Sequence, residues 1–203
     1  MDDLNSGKDS NIVLDKNFWD SKYKTNSTGW DLGEVSPPIK DFIDKLEDKS
    51  LKILMPGCGN SYEAEYLLLK GFTNITLIDI APSLVENLQT KFQGQDAINV
   101  ILGDFFEHQS AYDLIIEQTF FCALPPIVRM QYVSKMYQLL ETDGMLVGLL
   151  FNRSFEQGPP FGGNRDEYIA LFSPMFELVH IEICQNSIPP RAQNELWFEF
   201  RKK

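Results

Sequence analysis

The chain has 203 residues, 43% hydrophobic and 23% charged, with 18 Lys and Arg against 29 Asp and Glu for a formal net charge of −11. That length suits one domain with a sizeable core, and the charge disfavours nucleic acid or an anionic membrane as a partner while leaving a small molecule, above all a cation, free to bind. The three cysteines, Cys58, Cys122 and Cys184, lack Cys-x-x-Cys spacing, which argues against a disulfide framework or a zinc site and suits a reducing cytosol. No apolar run approaches a membrane span and no signal peptide opens the chain, so a cytoplasmic, monomeric protein acting on a small molecule is expected.

Residues 1–11, MDDLNSGKDSN, are small and polar with nothing to bury and are expected to be disordered, leaving a domain over 12–203. Between 12 and 38, Phe18, Trp19, Tyr23 and Trp30 stand among Lys, Asn, Ser and Asp. Such a segment is either a lid whose aromatic faces cover a bound cation or a flap packed against the sheet edge as ordinary core. Pro37-Pro38 then opens a helix in which Ile39, Phe42, Ile43 and Leu46 follow i, i+3, i+4, i+7 spacing.

The stretch 51–80, LKILMPGCGNSYEAEYLLLKGFTNITLIDI, organises the rest. An apolar run at 52–55 predicts a strand, and Pro56-Gly57-Cys58-Gly59-Asn60 breaks it with two glycines that let a ligand approach the backbone. A helix over about 61–70 puts Tyr62, Tyr66 and Leu69 on one face, Gly71 ends it, and 75–78 forms the next strand. Asp79 therefore lies at a strand's carboxyl end, where open parallel sheets bind ligands and a carboxylate can accept both hydroxyls of a ribose. A dinucleotide fingerprint would need a third glycine where Tyr62 stands, and nothing nearby would cradle phosphates, so S-adenosylmethionine suits the turn better than NAD. A plain glycine turn without a ligand is the remaining alternative.

The pattern then repeats. Pro82 begins a helix lined by Leu84, Val85, Leu88 and Phe92, and 99–102 is a third strand, followed by Gly103-Asp104-Phe105-Phe106, an acid and an aromatic able to hydrogen-bond and cover an adenine. YDLIIEQ at 112–118 is a fourth strand, and the loop after it, FFCALPP, should floor an acceptor site. A helix with Met130, Val133, Tyr137 and Leu140 on one face runs to a turn at Asp143-Gly144, and 145–151 is a fifth strand. The glycine and proline loop 152–164 is either a second wall of the site or a plain surface connection. After a short helix through Tyr168 and Phe172, strands at 178–184 and 195–201 are joined by a loop containing Ile188-Pro189-Pro190-Arg191 and form a hairpin. Strands alternating with helices imply a mostly parallel sheet with one antiparallel strand.

Taken in order, FWDSKYKTNSTGWDLGEVSPP, PGCGNSYEAEYL, LIDIA, GDFFEH, YDLIIEQTFFCALPP, GPPFGG and the late IPPR resemble the thiopurine S-methyltransferase family, and within it most closely the halide and thiol methyltransferase branch. The likeness spans nearly the whole domain. It implies a Rossmann-like class I methyltransferase fold, with seven mostly parallel strands, one of them antiparallel, helices on both faces and an N-terminal aromatic lid. It also implies that Trp19, Tyr23 and Trp30 enclose the methyl donor, that Gly57 and Gly59 lie under its amino-acid end, that Asp79 holds its ribose, and that Asp104 and Phe105 bracket its adenine. Where the family usually places Asp followed by Arg or Tyr, this chain has Glu117-Gln118, expected beside cofactor and substrate. Arg191 matches a late arginine near the acceptor.

Methyl transfer from a sulfonium is an in-line displacement in which charge is neutralised, so an anionic nucleophile needs alignment and a dry pocket rather than a base. A thiol of ordinary pKa is already roughly 3% thiolate at pH 7, and a halide is wholly anionic. Neither His108 nor His180 is well placed as a base. A thiol or halide acceptor follows, with Glu117 held open as a base for an oxygen or nitrogen acceptor, and a binding module without turnover as the third reading.

Overall fold

The structure, a computed structural model, describes residues 13–203; the expected disorder at 1–11 lies outside the described residues. Seven strands, β1 (Ile53–Pro56), β2 (Ile75–Asp79), β3 (Ile98–Leu102), β4 (Tyr112–Gln118), β5 (Leu140–Phe151), β6 (Phe176–Ile183) and β7 (Glu195–Lys202), form one sheet in the order β3-β2-β1-β4-β5-β7-β6. The first five are mutually parallel, and β7 runs antiparallel to both its neighbours, β5 and β6. Parallel strands covered on both faces read as continuous apolar runs, and β1 is buried at all four positions. Alternate residues feed opposite cores. Leu54, Ile78, Ile115, Phe198 and Phe200 pack with α5 (Arg129–Leu139) and α6 (Arg165–Phe172), whereas Ile53, Met55, Leu77, Ile116 and Val147 pack with α2 (Pro37–Ile43), α3 (Tyr62–Leu69) and α4 (Pro82–Lys91).

Where β4 meets β5, only glycine fits. A Cβ on Gly148 would fall 2.0 Å from the Glu117 carbonyl oxygen, closer than any van der Waals contact allows.

Several local expectations shift in phase. The core face of α3 is Glu63, Ala64 and Leu67, while Leu69 is 78% exposed; the strand-facing rows are set by what α3 meets on β1 and β2, not by its most apolar stripe. Likewise Tyr132, Val133, Met136 and Leu139 form the buried face of α5, and Met130 faces solvent. The turn expected at Asp143-Gly144 lies within β5, which already begins at Leu140. Within the aromatic segment stands a helix not anticipated, α1 (Lys16–Lys24), capped by the Asp15 carboxylate, which accepts from the Phe18 N–H at 2.9 Å.

Candidate active site

The glycine turn after β1 is built from three left-handed residues, Gly57, Gly59 and Ser61, with φ of 55°, 52° and 55°. Two of these positions need no Cβ, and at Gly57 one would strike the Phe120 ring at 2.3 Å. The turn thereby leaves open a cavity of about 720 Å³ above the carboxyl ends of the parallel strands, within the usual size of a site for a drug-sized ligand. Asp79 lines it from the end of β2. Its Oδ1 accepts from the Ala81 N–H at 2.9 Å and its Oδ2 from the Gly59 N–H at 3.5 Å. Burial pushes its pKa up to about 6 from an ordinary 3.8, against the pull of those donors.

From the end of β3, Asp104 and Phe105 line the same half; the Asp104 carboxylate accepts from the Phe106 N–H at 2.8 Å, closing a turn that turns Phe105 inward against Phe120, with ring centroids 5.1 Å apart.

The aromatic segment covers this half. Trp19 and Tyr23, one turn apart on α1, both meet Trp30 edge-on, at 5.7 and 5.9 Å between ring centroids, and all three line the cavity. Four polar contacts fasten the segment to the body. Asp20, next to Trp19 on α1, accepts from the backbone N–H of Ser83 at 2.8 Å and its hydroxyl at 2.6 Å, at the start of α4; pairing with Lys24 and these donors hold its pKa down at about 2. The Asp31 carboxylate accepts from the Asn60 amide and, at 3.4 Å, from the Tyr62 hydroxyl. Buried Glu63 accepts from the Ser36 N–H at 3.0 Å. Finally, Arg191 donates to the Trp30 carbonyl oxygen at 2.8 Å. The segment is thus fastened by polar contacts and shares in both readings: Trp19 and Tyr23 pack, partly buried, against the core while they line the cavity.

The other half of the cavity comes from the loops after β4, β5 and β6. Phe120, Cys122 and Leu124 follow β4, and Phe151, Arg153 and Phe155 lie at and beyond the end of β5. The loop 152–164 is a wall: Gly158, Pro159 and Pro160 line the cavity, the Phe161 N–H donates to the Cys122 carbonyl oxygen at 2.6 Å, and Arg129 donates to the Gly162 carbonyl oxygen at 2.6 Å. Cys122 presents a thiol that burial pushes far up, so it stays protonated.

Of the residues expected here, Trp19, Tyr23, Trp30, Gly57, Asp79, Asp104, Phe105 and Arg191 line the cavity; Gly59 and Gln118 line a recess of about 60 Å³ that shares Trp30, Gly57 and Thr119 with it. The Gln118 Oε1 is buried there without a hydrogen-bond partner in the protein. Glu117 lines neither, and this corrects the expectation that it touches the cofactor or serves as a base. It is fully buried, its Oε1 accepts from the Phe120 and Phe121 N–H groups at 2.8 and 2.9 Å, and its Oε2 accepts from the Tyr132 hydroxyl at 2.5 Å. Alternation along β4 turns it away from the ligand side, where it pins the loop's first residues. Lys22 and Phe151 went unanticipated as wall residues, while Phe106, Arg153 and Phe155 lay in stretches expected at the site without being singled out; the signal available was their place at or just beyond strand ends, or one turn from an aromatic on α1.

A buried acid among aromatic faces, reached over a glycine turn, fits an adenosine carrying a cationic centre. The cations of the lining, Lys22, Arg153 and Arg191, come from α1 and from loops of the β5–β7 half rather than from the glycine turn, so no phosphate cradle is formed there among the described residues.

Sheet order and site together define a class I methyltransferase. A search of solved structures agrees on the fold: the 1,6-didemethyltoxoflavin-N1-methyltransferase of Burkholderia thailandensis, solved with 1,6-didemethyltoxoflavin and S-adenosylhomocysteine, superposes with a TM-score of 0.76 at 16% identity, covering 100% of this chain and 93% of that one. The family model for thiopurine S-methyltransferase matches residues 14–200, and the chain belongs to that family; it is an S-adenosylmethionine-dependent methyltransferase. Similar proteins include a probable thiol methyltransferase 2 of Arabidopsis thaliana, 29% identical over 191 residues, 91% of this chain and 84% of that protein. A thiopurine S-methyltransferase of Vibrio atlanticus is 29% identical over 198 residues, 88% of this chain and 91% of that protein. Among the described residues no helix is long and apolar enough to cross a membrane.

Proposed function

We propose that the enzyme methylates a small soft nucleophile, a thiol or a halide-like anion. The observation that carries this reading is the absence, among the described residues, of an available base on the acceptor half of the cavity. His108 is paired with the Tyr112 hydroxyl at 2.7 Å and His180 lies exposed on β6; Glu117 is enclosed; Asp79 and Asp104 belong to the β2 and β3 ends. An alcohol acceptor would need a group to take its proton as it attacks, whereas a thiolate or halide arrives without one. Two cations of the wall, Lys22 and Arg153, have no carboxylate partner among the described residues and raise the local concentration of anions in a chain of net charge −11. The relative named a thiol methyltransferase supports the same acceptor class.

In this reading S-adenosylmethionine, when bound, supplies a methyl group on an electron-poor sulfonium sulfur. Asp79 accepts from the ribose hydroxyls, Asp104 and Phe105 flank the adenine, Gly57 and Gly59 leave room for the amino-acid end, and Trp19, Tyr23 and Trp30 face the cation. Phe120, Leu124 and Phe155 keep water from the nucleophile, whose desolvation raises its reactivity. Cys122, held as a thiol, does not compete with the acceptor. The test is mass spectrometry of products from purified enzyme, S-adenosylmethionine and a mixed panel of thiols, iodide, phenols and amines. Methylated thiol or iodide is expected; methylation confined to phenols or amines would overturn the acceptor class.

A further inference from the structure

We infer that Arg191 is a positioning residue for the cover over the cofactor, and not a receptor for the acceptor's charge. Arg191 closes the short 3-10 turn Pro189–Arg191, which leads into β7, and it lines the cavity. Its side chain is only 12% exposed, and two of its five N–H donors are engaged: one amino group donates to the Trp30 carbonyl oxygen at 2.8 Å and the other to the Glu195 carboxylate at 3.3 Å. Glu195 is 3% exposed, so its charge cannot turn to water and remains directed at the guanidinium. Beneath the same guanidinium lies the ring of Phe151, 5.6 Å from its centroid, at the end of β5. An arginine so placed has its charge offset by a buried carboxylate, and its fork is held by one carbonyl and one carboxylate in a fixed geometry. What it reaches is informative. Trp30 touches both Trp19 and Tyr23, so fixing its backbone fixes the aromatic set that faces the cofactor. The other three contacts of the segment tie it to α3, α4 and the glycine turn; that of Arg191 alone among these four ties it to the loop between β6 and β7. Cofactor cover and acceptor wall are thereby held as one piece.

This inference rests on the cavity being the S-adenosylmethionine site, and is independent of which acceptor is used. It is tested by calorimetric binding of S-adenosylhomocysteine to wild type, Arg191→Gln, Arg191→Lys and Glu195→Gln, with hydrogen exchange of the ligand-free proteins around residues 30–33 and kinetics on iodide and on a small thiol. Losing one charge-assisted hydrogen bond should weaken S-adenosylhomocysteine roughly tenfold in Arg191→Gln. Lysine, which keeps a donor for the Trp30 carbonyl but not the fork, should recover part of that loss, and Glu195→Gln should lose several-fold through a loosened guanidinium. Exchange at 30–33 should rise in the glutamine variant, and KM for iodide relative to the thiol should stay at its wild-type ratio. A folded Arg191→Gln that binds S-adenosylhomocysteine as wild type does, with a raised KM for iodide, would overturn the inference and restore Arg191 as an anion receptor. If Arg191→Gln does not fold, Glu195→Gln decides: unchanged affinity and unchanged exchange overturn it. A wild type that does not bind S-adenosylhomocysteine overturns the cofactor reading and this inference together, whereas normal wild-type binding with unaffected variants overturns the inference alone.

Discussion

On its proposed ribose role, Asp79 holds two demands in opposition, since it must be ionised to accept from both hydroxyls yet is buried where ionisation is disfavoured. With its pKa raised to about 6, the folded protein without ligand carries a penalty that is absent below the ordinary carboxylate range near 3.8 and fully present above 6. That penalty is about 3 kcal/mol. Stability of the ligand-free enzyme should therefore fall as pH rises from 4 to 6, and Asp79→Asn should flatten that slope in thermal melts. Ligand hydroxyls favour the ionised form, so binding near pH 6 should release a proton, visible as a dependence of the binding enthalpy on the buffer's heat of ionisation and lost in the same variant. Replacing Asp79 with alanine should weaken S-adenosylhomocysteine by about 1.5 to 3 kcal/mol, measured by calorimetry. Glu117 behaves differently. Because it holds two backbone N–H groups and a tyrosine hydroxyl, Glu117→Ala should cost stability by about 1 to 3 kcal/mol, and its partial activity should keep the wild-type pH profile; a shifted profile would return it to the chemistry.

At the scale of elements, the sequence shows clearly whatever depends on period or on punctuation. The strands of the core announce themselves as apolar runs between Gly, Pro and Asn, and Asp79 and Asp104 were legible as site residues because both follow such runs directly. Helix α1 was not legible. Phe18, Trp19, Lys22 and Tyr23 have helical spacing and Asp15 is a good cap, yet so polar a segment offers no apolar stripe to mark it, and it is held by Asp20 on the start of α4, a partner 63 residues distant. The orientation of Glu117 was hidden for a related reason: β4 is apolar on both faces, so its pattern does not say which side of the sheet an acid at its end will take. Asp20→Ala removes a side-chain cap from Ser83 and an anchor from α1; a loss of about 0.5 to 2 kcal/mol in stability is expected from the cap, together with faster hydrogen exchange in α1. Exchange unchanged there would mean that packing of Trp19 and Tyr23 suffices to seat the helix.

Across the whole molecule, charge is unevenly spent. The chain is acidic, with a formal net charge of −11, while the cavity wall carries Lys22, on α1, and Arg153, beyond β5, without a carboxylate partner among the described residues. On the proposed reading, an anionic acceptor meets repulsion from the body and attraction from these two residues. The kcat/KM for iodide should fall as ionic strength rises, because screening over about 8 to 10 Å removes the local attraction, and the fall should be smaller in Lys22→Gln with Arg153→Gln. An equal salt dependence in the double variant would remove both residues from acceptor recruitment.

The two halves of the cavity hang from different parts of the sheet, one from the ends of β1, β2 and β3 and the other from the loops after β4, β5 and β6, and the proposed reading gives the nucleoside to the first and the acceptor to the second. Heredity can act on them separately. On the proposed reading, substitutions in 152–164 would alter the acceptor wall while leaving Asp79 and the glycine turn as they were, so a lineage could drift among acceptors without passing through an ancestor that has lost its methyl donor. Residue 191 is where that freedom narrows, because a loop free to vary for the sake of a new acceptor also carries the side chain that holds Trp30 in place.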